Sequence, residues 1–193
     1  ALRAAAPGDV VLAPRNATYY VTGGIAASNL YNVTLRIDAN LCLDADIAAW
    51  PLVDEPRSAN GTARHAPWLL VQNASRFAVT GVGAVDGRGR RWWDAAITGS
   101  VPHLGENRPD MLVINASTDV LVGDGLSLRN SPHFHLHFYS CHRVVVRHMD
   151  IDVDRFAQRR IKARAHAERL TRAGLLNSSA AFDLTSRLYG LVA

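Results

Sequence analysis

The fold of this chain is decided by residues 81–94, which read Gly-Val-Gly-Ala-Val-Asp-Gly-Arg-Gly-Arg-Arg-Trp-Trp-Asp. The four glycines allow two interpretations: a loop that cradles phosphate, or tight corners between short strands. A phosphate loop follows a single buried strand and opens a helix within a βαβ unit, and no such unit is apparent after this stretch. We therefore interpret the glycines as corners between short strands.

A repeating pattern surrounds these corners. Three segments begin with a proline and reach a serine eight residues later, and they start at Pro67, Pro109 and Pro132. Each precedes a second β-rich run, and these runs are residues 77–80, 120–122, 144–146 and, in an earlier copy, 32–37. The prolines are separated by 42 and 23 residues, which we interpret as two turns and one turn of a unit of about 21–23 residues.

Units of this length cannot bury an apolar face alone, so they must stack. The predicted fold class is all-β, with the units stacked as the coils of a parallel β-helix. At 193 residues and 48% hydrophobic content the chain is long enough to bury one sizeable core, and its length favours one domain. No apolar run approaches the length of a transmembrane span, which argues against a membrane-embedded protein.

Charge divides the chain near residue 155. Residues 1–154 hold 13 arginines and 15 acidic residues, whereas residues 155–193 hold eight basic residues against Glu168 and Asp183. We predict an incomplete β-helix domain over residues 1–154 and a basic, helical tail over residues 155–193 that caps the open end of the stack. A basic helix also suits acidic polysaccharide, nucleic acid or anionic lipid, but the tail has too few aromatic residues for nucleic-acid binding.

The number of glycosylation sequons suggests a secretory route. Six Asn-x-Ser/Thr sequons begin at Asn16, Asn32, Asn60, Asn73, Asn115 and Asn177, where about one is expected by chance. The alternative is that Asn73 and Asn115 occupy equivalent corners of the repeat. Because the chain begins at Ala1 without a signal peptide, we expect a fragment or a processed form. We interpret Cys42 and Cys141 as two unpaired buried thiols, with a disulfide as the alternative.

Four stretches resemble the polygalacturonase-type glycoside hydrolases of family 28. They are Gly8-Asp-Val-Val-Leu-Ala-Pro-Arg-Asn-Ala-Thr-Tyr-Tyr20, Gly81-Val-Gly-Ala-Val-Asp-Gly-Arg-Gly-Arg-Arg-Trp-Trp93, Arg108-Pro109, and Gly125-Leu-Ser-Leu-Arg-Asn-Ser-Pro-His-Phe-His-Leu-His137. Together they cover roughly residues 8–154, in order and at suitable spacing. The resemblance implies a right-handed, pectin-lyase-like parallel β-helix, here truncated.

The resemblance also implies inverting hydrolysis of α-1,4 bonds in galacturonan, with one carboxylic acid protonating the leaving oxygen and other carboxylates activating water. In the family these groups belong to an Asn-Thr-Asp motif and an Asp-Asp pair, followed by Gly-His-Gly and Arg-Ile-Lys. The first three motifs are absent from this sequence. Arg160-Ile-Lys162 spells the fourth, but its surroundings favour helix, so we give it no substrate-holding role. No catalytic residue is assigned.

Two groups of alternating polar residues are the remaining candidates. Asp150, Asp152 and Asp154 share one face of a predicted strand and could divide acid and base roles, although alternating aspartates are common on solvent faces. His133, His135 and His137 are predicted to project to one side of their strand, with Phe134, Leu136 and Phe138 on the other. No nearby ligand completes a metal site. This strand directly precedes the coil that would carry Asn-Thr-Asp, so we expect His135 and His137 to contact substrate.

The tryptophan pair has a structural and a functional interpretation. Trp92 and Trp93 could stack on sugar rings, but the family signature favours a packed corner, which leaves Arg88, Arg90 and Arg91 facing solvent. We expect an extracellular or cell-wall monomer without cofactor or metal. Its expected partner is an acidic polysaccharide such as pectin or galacturonan, with neither nucleic acid nor membrane.

Three hypotheses about function remain open at this point. The chain is the scaffold half of a polygalacturonase-like enzyme, a non-catalytic β-helix module that binds acidic polysaccharide, or a structural remnant without a ligand.

Overall fold

A computed structural model describes residues 1–53 and 63–175. After a short 3₁₀ helix at Leu2–Ala4, the chain alternates brief strands and corners. The strands are β1 (Val10–Ala13), β2 (Thr18–Val21), β3 (Ile25–Ser28), β4 (Thr34–Ile37), β5 (Asn40–Leu43), β6 (Leu69–Gln72), β7 (Ser75–Thr80), β8 (Ala84–Asp86), β9 (Leu112–Asn115), β10 (Thr118–Gly123), β11 (Ser127–Arg129), β12 (Leu136–Tyr139), β13 (His142–Arg147) and β14 (Asp150–Asp152). The helices are α1 (Arg90–Thr98), α2 (Leu104–Asn107) and α3 (Arg155–Arg172).

The strands form three sheets in which every neighbouring pair of strands is parallel. Sheet A has the order β1-β4-β7-β10-β13, sheet B has β14-β11-β8-β5-β2, and sheet C has β12-β9-β6-β3. Successive strands along the chain pass from sheet A to sheet B to sheet C and back, so each complete coil adds one strand to each sheet. The predicted parallel β-helix is confirmed.

The length of the coils corrects the predicted repeat. Leu69 of β6 pairs directly with Leu112 of β9, and Leu112 pairs with Leu136 of β12. The 42-residue interval between Pro67 and Pro109 is therefore one coil and not two, because α1 and α2 use residues without adding height to the stack.

The same register shows a slip of one residue in the predicted alignment. Gln72 pairs with Asn115. Asn73 comes one residue later, at a corner where its φ is 52°. The interpretation of Asn73 and Asn115 as equivalent corners is therefore wrong. A shift of one residue along a strand moves a side chain to the other face, so the two asparagines have different surroundings.

The glycines of residues 81–94 are corners, as predicted. Gly81 has φ 131°, and a Cβ placed on it would lie 2.0 Å from the carbonyl oxygen of Ile37 in the preceding coil. At Gly83 the corresponding distance to the carbonyl oxygen of Ala39 is 2.1 Å. Helix α1 does begin at Arg90, but the strands on either side of it, β8 and β9, belong to different sheets, so they form no βαβ unit. The glycines allow one coil to approach the next, which is a packing role.

The α1 residues divide as the family signature implied. Trp92 and Trp93 are buried, and the Trp93 indole donates a hydrogen bond to the carbonyl oxygen of Ser131 at 3.1 Å. Neither ring is free to stack on a sugar. Arg88, Arg90 and Arg91 are exposed, as predicted. Cys42 and Cys141 are unpaired, as predicted, but both are half-buried and not fully buried.

The core runs along the axis of the coils and ends abruptly at the last one. Leu41, Val85, Leu128 and Ile151 lie in one register column of sheet B. Leu128 is 1% exposed, whereas Ile151 is 51% exposed. Inward side chains are thus covered only where another coil follows, which leaves the last coil open.

The basic tail begins with helix at Arg155, as predicted, but α3, the part of the tail that the structure describes, packs on the flank of the stack and not on that open coil. Ala157 and Ile161 of α3 pack against Trp93 of α1, and Arg164 forms an ion pair with Asp94. The helix therefore covers α1 on the flank of the stack. The remaining predicted tail, residues 176–193, lies outside the described residues, and the division into a domain and a tail stays a prediction. Within residues 1–53 and 63–175, no helix is both long and apolar enough to cross a membrane.

Candidate functional site

A buried carboxylate next to sheet C organises the most distinctive polar cluster of the structure. Asp110 follows the Arg108-Pro109 corner just before β9, and it is 4% exposed. Its Oδ1 atom lies 2.8 Å from Nδ1 of His133, and its Oδ2 atom lies 3.0 Å from Nδ1 of His137. A guanidinium nitrogen of Arg64 lies 3.3 Å from Oδ2. Three partners from two other coils thus converge on one carboxylate.

These partners determine the charge of Asp110. Burial raises the pKa of this carboxyl. Hydrogen bonds from His133 and His137 and the positive charge of Arg64 lower the pKa by a larger amount, so it lies below its ordinary value. Asp110 is consequently ionised at neutral pH, because a buried carboxylate is stable only when paired and hydrogen-bonded. It is a fixed acceptor that positions the two imidazoles.

The carboxylate also determines the tautomers of both histidines. A carboxylate accepts hydrogen bonds, so Nδ1 of His133 and His137 each carry a proton that points at Asp110. In a neutral imidazole this leaves Nε2 unprotonated, as an acceptor. Neither Nε2 atom has a hydrogen-bond partner within the described part of the chain, and the side chains are 21% and 30% exposed. Both Nε2 atoms are available to a ligand.

Two aromatic rings border the histidines. Phe134 is 51% exposed, and its ring centroid lies 4.1 Å from that of His133 and 5.3 Å from that of His137. The Tyr139 ring, 42% exposed, lies 4.0 Å from the His137 ring, and the Tyr139 hydroxyl is 2.9 Å from Nδ1 of His137. We call His133, Phe134, His137 and Tyr139, seated on Asp110, the imidazole–aromatic cluster.

The exposure of Phe134 corrects the predicted alternation. Leu136 and Phe138 do pack against the core, as expected. The prediction that Phe134 points inward with them is wrong. Strand β12 begins only at Leu136, so the two-residue period of a strand does not extend back to Phe134.

His135 does not join the cluster, which also corrects the prediction that the three histidines share one side. Its Nε2 atom accepts a hydrogen bond from the Ser131 backbone N–H at 3.2 Å. Burial lowers the pKa of His135, and a hydrogen bond to the backbone of Asp152 opposes this only in part. The structure therefore places His137 on Asp110 and His135 against backbone groups. Their role as substrate contacts stays a prediction.

The aspartate trio is divided in the same way. Asp150 and Asp152 are exposed on β14, whereas the Asp154 carboxylate is the N-cap of α3 and accepts a hydrogen bond from the Ala157 N–H at 2.8 Å. A capping carboxylate at the start of a helix has a structural role. Among residues 1–53 and 63–175, no group of three or more His, Cys, Asp and Glu side chains could hold a metal ion.

Sequence reasoning overlooked Asp110, the residue that organises the cluster. The available signal was an acidic residue directly before the apolar run Met111-Leu-Val-Ile114, where a charge must find a buried partner. The identity of that partner was not readable, because His133 and His137 belong to the next coil.

The fold and this outer face define a class of protein, a parallel β-helix with a polar and aromatic surface along one sheet. Residues 23–160 match the family model described as "Glycosyl hydrolases family 28", and the chain belongs to this family.

Three relatives with known names show the extent of the match. A polygalacturonase of Chamaecyparis obtusa is 27% identical over 150 residues, covering 76% of this chain and 27% of the relative. A polygalacturonase of Juniperus ashei is 33% identical over 116 residues, covering 58% and 22%. An endo-polygalacturonase of Pectobacterium carotovorum subsp. carotovorum is 28% identical over 142 residues, covering 67% and 34%. The chain thus spans about a fifth to a third of the length of these proteins.

Solved structures share the fold. Endo-xylogalacturonan hydrolase of Aspergillus tubingensis superposes with a TM-score of 0.60 at 19% identity, covering 75% of this chain and 36% of that protein. A hyperthermoactive exopolygalacturonase of Thermotoga maritima superposes with a TM-score of 0.56 at 16% identity, covering 76% and 40%. At these identities the similarity supports the β-helix architecture and its partial extent.

Proposed function

We propose that this chain is the scaffold and part of the saccharide-binding surface of a polygalacturonase-like glycosidase that acts on α-1,4-galacturonan by inversion. The observation that carries the proposal is the imidazole–aromatic cluster on the outer face of sheet C. His137 and Tyr139 lie on β12, the last strand of that sheet, and His133 and Phe134 lie just before it. The cluster is therefore next to the position where the coil with the family's Asn-Thr-Asp motif would stack.

The cluster has the chemistry that an acidic sugar requires. The exposed faces of Phe134 and Tyr139 suit the apolar faces of pyranose rings. Nε2 of His133 and His137 can accept a hydrogen bond from a sugar hydroxyl. When protonated, the same atoms donate to a carboxylate, and such charge-assisted bonds are the stronger kind. Because Asp110 holds both rings from behind, a bound sugar meets an oriented surface.

The same geometry argues that this chain does not hydrolyse the polymer by itself. Inverting glycosidases need two carboxyl groups about 6.5–9.5 Å apart, one of them a general acid with a raised pKa. The carboxyl group of the cluster is Asp110, whose pKa is lowered and whose oxygens are occupied by histidine. It can orient imidazoles, but it is poorly suited to protonate a leaving oxygen.

Binding is tested first, with immobilised oligogalacturonate at pH 5. We expect the full chain to be retained, and we expect His137→Ala to weaken its apparent affinity about tenfold, since a hydrogen bond to a charged group contributes about 1.5–3 kcal/mol. His142→Ala is the matched control, because His142 is exposed at the start of β13 in sheet A. Equal retention of the His137→Ala variant and the unaltered chain would exclude His137 as a contact. His135→Ala tests the other predicted contact in the same assay.

Hydrolysis is tested separately by reducing-end release from polygalacturonate. We expect no release above a heat-treated sample of the same chain. Release above that level would overturn the assignment of the catalytic groups to residues outside this sequence.

A second candidate function, a non-catalytic module that binds acidic polysaccharide, is favoured by the intact cluster together with the missing carboxylate motifs. The full transcript distinguishes the two. In-frame Asn-Thr-Asp and Asp-Asp motifs after the β-helix support the enzyme, and a stop codon or unrelated sequence supports the module.

A further inference from the structure

The sequons of this chain occupy structurally different positions, and the differences indicate which of them can carry a glycan. Four of the six sequon asparagines are described by the structure, namely Asn16, Asn32, Asn73 and Asn115; Asn60 and Asn177 lie outside the described residues. We propose that Asn16 and Asn32 are acceptors of N-linked oligosaccharide and that Asn115 remains unmodified. This inference depends on passage through the secretory pathway and is independent of the proposed saccharide binding.

Asn16 has the geometry of an open acceptor site. It lies at the corner between β1 and β2 with φ 61°, it is exposed, and its carboxamide forms no hydrogen bond with the described part of the chain. Thr18, which supplies the hydroxyl of the sequon, is also exposed. A bulky, hydrated glycan belongs at such a surface corner.

A polar hollow next to Asn16 offers space for the first sugar. Its volume is about 330 Å³, and its lining includes Arg15, Asp38 and Asn40. This volume is near the lower limit of small-molecule pockets, so it suits a single sugar ring. The Asp38 carboxylate accepts hydrogen bonds from the Arg36 side chain and the Val82 backbone, which keeps the polar wall in place.

Asn32 resembles Asn16 in its backbone and its exposure. It has φ 53°, it lies just before β4, and its carboxamide likewise has no hydrogen-bond partner among the described residues. Its main chain is held on both sides, by Gly8 and by Ser75, so the side chain projects from a fixed corner. Both proposed acceptors lie outside the outer face of sheet C that carries the imidazole–aromatic cluster.

Asn115 has the opposite character. It is half-buried within β9, where its register partners are Gln72 and Tyr139. Ser117, the hydroxyl residue of its sequon, is 2% exposed, and its Oγ atom accepts from the Ala74 N–H and donates to the carbonyl oxygen of Asn115. A glycan at Asn115 would disrupt a packed coil and cover Tyr139.

Asn73 is exposed but already engaged. Its Nδ2 atom, the atom that would bond to sugar, donates a hydrogen bond of 2.6 Å to Oδ1 of Asn29 in the preceding coil. A glycan on this nitrogen would compete with that contact between coils. Asn73 is therefore left out of the proposed acceptor pair.

The modification is a group transfer from a lipid-diphosphate-linked oligosaccharide. The Nδ2 atom of the acceptor asparagine attacks C1 of the first N-acetylglucosamine. The N–C1 bond forms as the bond between C1 and the diphosphate oxygen breaks, the amide loses one proton to a base, and the lipid diphosphate leaves. No oxidation or reduction occurs.

The test is expression of the full chain behind a heterologous signal peptide in a glycosylating yeast, with cell-associated and secreted material pooled. Asn16 and Asn32 lie between Arg15 and Arg36 and therefore share one tryptic peptide, so single variants are needed. On a gel, each attached glycan slows the chain, and glycosidase treatment reverses this shift. We expect Asn16→Gln and Asn32→Gln each to abolish the shift that corresponds to one glycan, and Asn115→Gln to leave the mobility unchanged. Glycopeptide mass spectrometry assigns each site directly.

Two results would overturn the proposal. One is unchanged mobility of the Asn16→Gln or the Asn32→Gln variant, which would show that the exposed corner carries no glycan. The other is a glycan on Asn115 in the unaltered chain. Thr18→Ala is a second variant for Asn16, because it removes the sequon while leaving the carboxamide in place.

Discussion

Asp110 and His137 belong to consecutive coils, and the Nδ1 atom of His137 lies 3.0 Å from the Oδ2 atom of Asp110. This contact joins the segment just before β9 to β12 and gives the partly exposed imidazole a defined orientation. The candidate site therefore exists only because the two coils stack, since neither coil contains both residues.

Replacing Asp110 tests that contact. We expect Asp110→Asn to lower the free energy of unfolding by about 2 kcal/mol, because one amide cannot accept from both imidazoles as a carboxylate does. The value is below that for a fully buried ion pair, since both histidines are partly exposed. Urea unfolding at pH 7 provides the measurement. Asp150→Asn, at an exposed position on β14, is the control and should leave the midpoint unchanged.

The lowered pKa of Asp110 predicts an acid-sensitive contribution to stability. A carboxyl whose folded pKa is below its unfolded value stabilises the protein fully above the unfolded value, about 3.9, and loses that contribution as pH falls through the folded pKa. We expect the unaltered chain to lose more stability than Asp110→Asn below about pH 4. Parallel stability curves for the two proteins in that range would contradict the assignment.

The burial of His135 predicts a second pH range, above that of Asp110, in which stability changes with pH. Burial lowers its pKa, so the unfolded chain binds a proton more readily than the folded chain does. Its contribution is therefore fully present above about pH 6.5 and decreases as pH falls below that value. His135→Gln should flatten the stability curve between pH 7 and pH 5. The exposed His148 supplies the control, and His148→Gln should leave the His135 slope intact.

The glycine corners predict a sharp positional effect. Gly81→Ala would place a Cβ 2.0 Å from the Ile37 carbonyl oxygen at a φ of 131°, and we expect a loss of about 2–4 kcal/mol. Gly105→Ala, where nothing lies within 4 Å of the added Cβ, should be neutral or slightly stabilising because it is in α2. Thermal unfolding distinguishes the two. Equal melting temperatures for both variants would refute the close approach of coils.

The flank position of α3 predicts which of its apolar residues matter. Ile161 is 5% exposed in the cluster with Trp93, and we expect Ile161→Ala to cost about 2 kcal/mol. Phe156 is 77% exposed, so Phe156→Ala should have little effect. If α3 instead capped the last coil, the exposed Ile151 would be protected, and hydrogen exchange of β14 would be slow. We expect fast exchange there.

Sequence alone predicts the kind of fold and its glycine corners. Short β-rich runs separated by glycine corners require stacking, because one unit cannot bury its own apolar face. It also indicated the helical start of the tail and the buried tryptophans of α1, since these follow from local composition and a recognisable signature.

The coil lengths, the register and the residues of the site follow only from the stacking of the coils. Local pattern could not show that α1 and α2 belong to one long coil, because a helix changes the sequence interval without changing the height of the stack. Local pattern also predicts the wrong orientation for Phe134. The alternation of inward and outward side chains holds only within a strand, and β12 starts at Leu136. Asp110 contacts His133 and His137 only because β12 stacks on β9. The closeness of these residues results from the stacking of coils, and residues so far apart in sequence give no local sign of it.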